Sequence, residues 1–267
     1  MRETWLARPG VHVDLGSIDP GSTPGLKGGH EQAQSDRPGA VQRLAALQDR
    51  LWAEARRSLL VVLQGIDASG KDGTVRHVFE GLNPEAIHAT AFKAPTSEEL
   101  DHDFLWRIQR ALPRRGQIGV FNRSQYEDVV VARVHKLVPE SLWRHRYRSI
   151  AEFERSLGLE GTTIVKFYLH ISKDEQKRRF EKRLQQPEKR WKFAPSDLDD
   201  RRRWDEFKTA YEDAIAATST EHAPWYVIPA DHKWYRDWAV DVVLEEALRE
   251  MDPHYPDPPN LDGVVIP

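Results

Sequence analysis

The chain has 267 residues and a formal net charge of −3, with 39% hydrophobic and 30% charged residues. This length suits one large domain or two small ones, and no stretch approaches the ~18 consecutive apolar residues of a membrane helix. The absence of cysteine excludes disulfide scaffolds, cysteine–zinc sites, iron–sulfur clusters and thiol catalysis. The first ten residues lack a basic segment followed by an apolar one, so we expect a cytoplasmic protein that has no signal peptide and does not bind membranes.

The N-terminal region has little apolar periodicity. Residues 10–39 are rich in Gly, Pro, Ser and Asp, which predicts an extended or partly disordered arm over residues 1–40. The alternative is an arm that packs on a neighbouring subunit. From Val41 leucines recur with helical spacing and predict a helix that ends near Arg57.

Short apolar runs then alternate with helical patterns. The runs cover residues 59–63, 87–92, 117–121, 163–169 and 225–228. The main helical patterns cover residues 139–157, 196–217 and 234–249. This alternation predicts one α/β domain over residues 41–267, with a parallel sheet and helices on both of its faces.

The first run leads directly into a glycine-rich loop at residues 65–74, with the sequence GIDASGKDGT. The pattern G-x-x-x-x-G-K between a strand and a helix is typical of a phosphate-binding loop, or P-loop. Its glycines let backbone N–H groups turn towards a phosphate, the helix N-terminus adds partial positive charge, and Lys71 adds a full charge. We expect phosphate or nucleotide contacts from Gly65, Ala68, Ser69, Gly70, Asp72, Gly73 and Thr74.

Two carboxylates make this loop unusual. Asp72 stands after Lys71, where such loops normally place the Ser or Thr hydroxyl that contacts Mg²⁺. Asp67 lies inside the loop, where a phosphate would repel it unless a cation intervened. We interpret Asp67 as a metal ligand, since carboxylate oxygens suit magnesium. The alternative is a turn-forming residue that caps backbone N–H groups, and Asp72 is in any case favourable in a first helical turn.

A second polar cluster follows the strand predicted at 117–121. Ligands bind at the carboxyl ends of strands in open α/β sheets. Asn122 stands where P-loop enzymes usually present an acidic metal ligand, and we expect it to contribute to phosphate or nucleotide binding. Arg123 follows it and offers a planar fork to phosphate oxygens. Glu127 and Asp128 are the candidates for the missing metal-binding carboxylate, or they cap the following helix.

Two further basic residues are candidates for the site. Arg133 lies ten residues after Arg123 and offers a second guanidinium fork. Lys93 follows the strand predicted at 87–92, again at a carboxyl edge, and is a candidate for nucleotide or phosphate binding.

Residues 173–192 form a strongly basic segment, with nine Lys or Arg against four acidic residues. The Gln185-Gln186-Pro187 interruption predicts a helix, a turn and a return. We interpret residues 173–195 as a lid that closes over a transferring phosphoryl group. The alternatives are a solvated charged helix or a nucleic-acid-binding patch, and no nucleic-acid motif accompanies the segment.

Four motifs together resemble a known family. They are GIDASGKDGT at 65–74, FKAPT at 92–96, FNRSQYED at 121–128 and PEKRWKF at 187–193. In combination they are similar to the second type of polyphosphate kinase, which transfers phosphoryl groups between inorganic polyphosphate and nucleotides. The third motif resembles the branch that accepts both nucleoside monophosphates and diphosphates.

The resemblance implies a thymidylate-kinase-like P-loop sheet with a helical lid. It assigns the catalytic and phosphate-contacting roles to Asp67, Lys71, Arg123, Arg133, Arg178 and Arg183. Many family members have Asp at the position of Asn122, and this departure leaves the further metal ligand open between Glu127 and Asp128.

The resemblance also implies an activity: direct in-line transfer of the terminal phosphoryl group of polyphosphate to AMP or ADP, in a reversible reaction. It implies Mg²⁺, with Mn²⁺ as the alternative, guanine nucleotides as further acceptors, and a homo-oligomer, either a dimer or a tetramer. Two other hypotheses are an ATP-dependent nucleotide kinase of the same fold and a non-catalytic P-loop or RNA-binding module.

Overall fold

A computed structural model describes residues 1–260 of the chain. The strands are β1 (Leu6–Ala7), β2 (Ser58–Gln64), β3 (Ile87–Ala91), β4 (Ile118–Asn122), β5 (Thr162–His170) and β6 (Trp225–Pro229). The α-helices are α1 (Gly29–Glu54), α2 (Lys71–Val78), α3 (Ser97–Leu100), α4 (Trp106–Arg110), α5 (Val131–Val134), α6 (Glu140–Leu159), α7 (Lys173–Gln185), α8 (Ser196–Arg202), α9 (Trp204–Thr218) and α10 (Lys233–Met251). No helix in the described chain has the length and apolarity needed to cross a bilayer.

The strands form one sheet in the order β1-β6-β5-β2-β4-β3. All neighbours are parallel except β1, which pairs antiparallel with β6. The central strand β2 lies between β4 and β5, and its register pairs Leu63 with Asn122. The loop after β2 therefore emerges beside the turn after β4, at the edge where parallel sheets bind ligands.

Helices cover both faces of the sheet. Along β2, Leu59, Val61 and Leu63 pack into a core with residues of α1, α2 and α10. Leu60 and Val62 pack into the opposite core with residues of α4, α6 and α9. Because alternate side chains of a strand point to opposite faces, a strand buried on both sides must be apolar throughout. The predicted α/β class is confirmed.

The N-terminal region differs from the prediction. Helix α1 begins at Gly29, so the predicted start at Val41 is wrong, and it continues through Pro38. Nor are residues 1–40 an extended arm, because Trp5, Leu15 and Leu26 are buried in the cores of this chain. These apolar residues are spaced too irregularly to produce a periodic pattern, and they become evident only once each has packed against the folded sheet.

One other boundary differs from the prediction. The helix predicted at 196–217 is two helices, α8 and α9, separated at Arg203. The Arg203 guanidinium donates to the carbonyl of Val134, and no Gly or Pro marks this break in the sequence. In the basic segment, α7 ends at Gln185 and a 3₁₀ helix follows over Pro187–Lys192. The single-domain assignment stays a prediction, and its residues 261–267 lie outside the described part.

A buried ion pair lies in the core beneath α6. The Lys166 ammonium on β5 donates to Glu154 Oε2 at 2.5 Å, to the Tyr126 hydroxyl at 2.9 Å and to the Thr218 carbonyl at 2.8 Å. Both charged side chains are almost completely excluded from solvent. Burial lowers the pKa of Lys166, and Glu154 opposes that shift. The pair therefore links β5 to α6, and Tyr126 connects both to the turn after β4.

We predict that Lys166→Met lowers the free energy of unfolding by about 3–5 kcal/mol, because it leaves the Glu154 carboxylate buried without a counter-charge. Urea denaturation measures the effect. The double variant Lys166→Met/Glu154→Leu should lose less free energy of unfolding, since it buries no unpaired charge. Arg155→Met removes an exposed ion pair on the same helix and should change stability by less than about 1 kcal/mol. A single variant no less stable than this control would contradict the prediction.

Candidate active site

The loop between β2 and α2 has the backbone of a phosphate cradle. Gly65, Ala68 and Gly70 have positive φ values of +151°, +65° and +107°. A Cβ atom on Gly70 would lie 2.0 Å from Nη1 of Arg236, which packs behind the loop from α10. Only glycine fits there, and helix α2 begins at the next residue, Lys71, which places its N-terminus at the loop.

Lys71 lies folded over this loop. Its ammonium donates to the Gly65 carbonyl at 2.6 Å, and the side chain is buried. Burial, together with the positive charge of Arg123, lowers the pKa of Lys71 to about 8, and Asp67, Glu127 and Asp72 oppose the shift. An anion that entered the loop would favour the charged ammonium, since nearby opposite charge stabilises the charged form.

Two predicted metal ligands meet at one guanidinium. Arg123 Nη2 donates to Asp67 Oδ1 at 2.8 Å, and Arg123 Nη1 donates to Glu127 Oε2 at 3.4 Å. Arg123 itself has a φ of +64°, a strained left-handed conformation of the kind that clusters at functional sites. Burial raises the pKa of Glu127, and the charges of Arg123 and Lys71 oppose this. The loop after β2 and the turn after β4 thus share one ion-pair network.

Asp72 connects three elements. It accepts from Asn122 Nδ2 at 2.7 Å and from the Lys192 ammonium at 3.0 Å. Burial acts to raise the pKa of Asp72, but these two hydrogen bonds bring it below its ordinary value. Lys192 ends the 3₁₀ helix of the basic segment, so this segment contacts the first turn of the P-loop helix.

Asp128 lies apart from the Asp67–Glu127 pair. Its carboxylate is 3.4 Å from Arg107 and 3.8 Å from Arg146. Burial raises the pKa of Asp128, and the two arginines oppose the shift. Arg107 also donates to the Lys93 carbonyl at 2.9 Å. The Asp128 carboxylate therefore pairs with arginines of two helices, α4 and α6.

Lys93 lines a cavity of about 350 Å³ along β3 and the loop that follows it. Thr90, Thr96 and Arg107 also line this cavity. The cavity combines hydroxyl groups and a guanidinium with an aromatic wall from Phe92, a chemistry that suits a polar ligand with a flat ring.

Three predicted arginines form no ion pair with residues 65–74 in the described chain. Arg133 Nη1 donates to Asp213 at 2.6 Å, and its guanidinium lies 4.6 Å from the Trp143 ring centroid. Arg178 is paired with Glu175 through two hydrogen bonds of 2.5 and 2.6 Å and is 62% exposed. Arg183 lies 5.6 Å from the Phe180 ring centroid.

Sequence reasoning missed Gln176 and Arg179, which are buried on α7. Both donate to backbone carbonyls of the P-loop. Their signal was present, because positions 176, 179 and 180 have the spacing of one helical face. The large number of charges in this segment concealed a face that turns inward.

The carboxylates of this site fit a divalent metal ion that takes most of its ligands from water and substrate phosphates. Within residues 1–260, no three His, Cys, Asp or Glu side chains are arranged to hold a metal ion. Asp67 and Glu127 nevertheless bring two carboxylates to one guanidinium. Magnesium is commonly bound by one or two carboxylates, with water and substrate phosphates completing its octahedron, and this pair matches that number of carboxylates.

The chain was compared with known proteins. Residues 29–256 match the family described as polyphosphate kinase 2 (PPK2). The chain is 51% identical over 262 residues to the AMP/ADP-polyphosphate phosphotransferase of Meiothermus ruber, covering 98% of both proteins. It is 47% identical over 229 residues to the ADP-polyphosphate phosphotransferase of Rhodopseudomonas palustris, covering 81% of this chain and 79% of the relative.

Solved structures agree with this comparison. The crystal structure of polyphosphate kinase 2 from Arthrobacter aurescens superposes with a TM-score of 0.90 at 44% identity, covering 95% of this chain and 93% of that one. The family resemblance inferred from the four motifs and the expected kinase-like P-loop fold are confirmed. The chain belongs to the polyphosphate kinase 2 family.

Proposed function

We propose that this protein transfers the terminal phosphoryl group of inorganic polyphosphate to AMP and ADP, giving ADP and ATP, by direct and reversible in-line transfer. The observation that carries the proposal is the contact of a strongly basic segment with a P-loop, made by Lys192 on Asp72. A long polyanion requires such an extended positive surface. The names of the relatives from M. ruber and R. palustris describe the same reaction class.

The chemistry needs alignment and charge neutralisation more than proton transfer. The attacking phosphate oxygen of AMP or ADP is already ionised at neutral pH, so no strong general base is required. It forms a bond to the terminal phosphorus while the bond to the bridging oxygen breaks, and the shortened polyphosphate leaves. Lys71 and Arg123 neutralise phosphate charge, and the basic segment excludes water and holds the chain.

Membership of this kinase family indicates a divalent-metal requirement, and we infer Mg²⁺, with Mn²⁺ as the alternative. Asp67 and Glu127 would hold it. When bound, the ion would screen the charges of the two phosphate chains. We leave Asp128 out of the ligand set, because its carboxylate pairs with Arg107 and Arg146, apart from the Arg123 guanidinium at which Asp67 and Glu127 meet.

The cavity beside β3 is our proposed site for the acceptor nucleotide. Lys93, Thr96 and Arg107 line it, and these two cationic side chains and a hydroxyl group suit the phosphate and sugar of a nucleotide. Guanine nucleotides as acceptors, a dimeric or tetrameric state and a cytoplasmic location stay predictions.

The lid arginines complete the proposal. Arg178 is 62% exposed and forms an ion pair with Glu175, so it is accessible to a phosphate chain that binds along α7. Arg183 lies on the same helix, one turn further out. A phosphate contact from Arg133 requires this residue to exchange its bond with Asp213, and its role stays a prediction.

We predict that the purified protein forms ATP from ADP, and ADP from AMP, only when polyphosphate is added. Lys71→Met should lower kcat by at least ~10²-fold, since it removes a donor to the transferring phosphate. A coupled luminescence assay measures ATP. Arg155→Met, on the far helix α6, is the control and should keep full activity. Disproportionation of ADP without polyphosphate would favour an ATP-dependent nucleotide kinase instead.

We further predict that Asp67→Asn and Glu127→Gln each raise the Mg²⁺ concentration needed for half-maximal activity by about tenfold or more, because each removes one anionic ligand. Titration of Mg²⁺ at fixed polyphosphate and ADP measures this shift. Glu152→Gln changes an exposed carboxylate on α6 and should leave the titration unchanged. The ligand assignment fails for any variant that shows the magnesium dependence of this control.

A further inference from the structure

The inner face of the lid helix α7 carries buried polar side chains. Gln176 is completely excluded from solvent, and Arg179 is 7% exposed. Their neighbours Lys177 and Arg178 on the same helix are exposed to solvent. Helix α7 therefore has two basic faces with different surroundings, and the buried one lies against the P-loop.

This inner face holds three consecutive peptide carbonyls of the loop. Gln176 Nε2 donates to the Asp67 carbonyl at 3.0 Å. Arg179 Nη1 donates to the carbonyls of Ala68 and Ser69, each at 2.8 Å. The carbonyls of residues 67, 68 and 69 thus all point towards α7.

The orientation of a carbonyl determines the orientation of the next amide. In a trans peptide the C=O and N–H bonds point in opposite directions. Holding the carbonyls of Asp67 and Ser69 therefore turns the N–H groups of Ala68 and Gly70 away from α7. The intervening Ser69 N–H donates to the Ile66 carbonyl at 3.0 Å, so it is not available to a ligand.

The Ala68 and Gly70 amides donate to no protein acceptor within residues 1–260. Convergent free amides in a glycine-rich loop are the groups that bind phosphate oxygens. Ala68 also has a left-handed φ of +65°. Such a conformation is unfavourable for alanine and persists only where the surroundings impose it. The carbonyls on both sides of the Ala68 α-carbon are those that α7 holds.

The two side chains are themselves fixed. Arg179 donates to Glu175 at 2.6 Å and, through Nη2, to the Ala230 carbonyl at 2.6 Å. Gln176 Oε1 accepts from Arg201 Nη1 at 3.1 Å. Neither side chain can rotate away without losing these partners, so the base of α7 acts as a rigid template for the loop.

We propose that Gln176 and Arg179 are positioning residues that set the peptide orientation of the P-loop and direct the Ala68 and Gly70 amides at a phosphate of the polyphosphate chain. This inference rests on the proposed function, which places that chain in the loop. Of the two free amides, Gln176 orients the Ala68 N–H through the Asp67 carbonyl, and Arg179 orients the Gly70 N–H through the Ser69 carbonyl.

The test follows each amide separately. Protein labelled selectively with ¹⁵N-alanine or ¹⁵N-glycine is titrated with inorganic tripolyphosphate, and the amide shifts are read by NMR. In the unsubstituted protein both the Ala68 and Gly70 amides should shift. Gln176→Glu and Gln176→Met should lose most of the Ala68 shift and keep that of Gly70. Arg179→Lys should lose most of the Gly70 shift.

Kinetics give a second readout. Gln176→Glu keeps the acceptor for Arg201 but loses the donor to Asp67, and its kcat should fall on the order of tenfold, less than for loss of a direct donor. Gln176→Met should show a similar fall in kcat. Because methionine adds no charge, this result would assign the fall to the lost donor and not to the negative charge of the glutamate. Gln42→Glu makes the same substitution at an exposed position of α1, outside the basic segment, and should leave kcat and both amide shifts unchanged.

The outcomes are distinguishable. Unchanged Ala68 and Gly70 shifts in the variants would overturn the positioning role and leave the proposed function intact. A displaced amide of Gly119, a reference residue in β4, would likewise overturn the positioning role and leave the proposed function intact, since it would indicate a general loss of structure in the variants. If tripolyphosphate shifts neither amide in the unsubstituted protein, the proposed function and this inference both fail.

Discussion

The Arg123 guanidinium, shared between the carboxylates of Asp67 and Glu127, is the interaction on which the site depends. It joins the loop after β2 to the turn after β4, and those loops meet because the two strands are parallel neighbours. Burial, together with the charge of this same guanidinium, lowers the pKa of Lys71. The site is thus a compact cluster of opposite charges in which an arriving phosphate or metal ion changes the balance for every member.

The P-loop is held from several directions. Arg236 of α10 packs behind Gly70, and Asn122 at the end of β4 contacts Asp72. The basic segment contacts the loop at two places. At the base of that segment, Arg179 holds loop carbonyls, and at its far end Lys192 pairs with Asp72. Under the proposed function, the inner face of α7 would position the loop, and the exposed residues of the basic segment would bind the polyanion.

Prediction from the sequence was correct for features that depend on residues close together in the chain. Apolar runs such as 59–63 identified strands, because a strand buried on both faces must be apolar along its whole length. The N-terminal region failed for the opposite reason. Its Gly and Pro residues suppress any periodic signal, and the burial of Trp5 and Leu26 depends on surfaces supplied by α10 and the sheet. The break at Arg203 likewise has no local marker, since Arg203 bonds to a carbonyl on another helix.

The sequence by itself determined the glycine turn, the alternation of the five parallel strands with helices, and the family. Each of these depends on residues close together in the chain, whose spacing dictates backbone geometry directly. Only the tertiary structure decided that Glu127 joins Asp67 while its neighbour Asp128 turns to Arg107 and Arg146. It also showed which face of α7 is buried against the loop. Such choices depend on how helices distant in sequence pack, because a charge takes the partner that packing brings within reach.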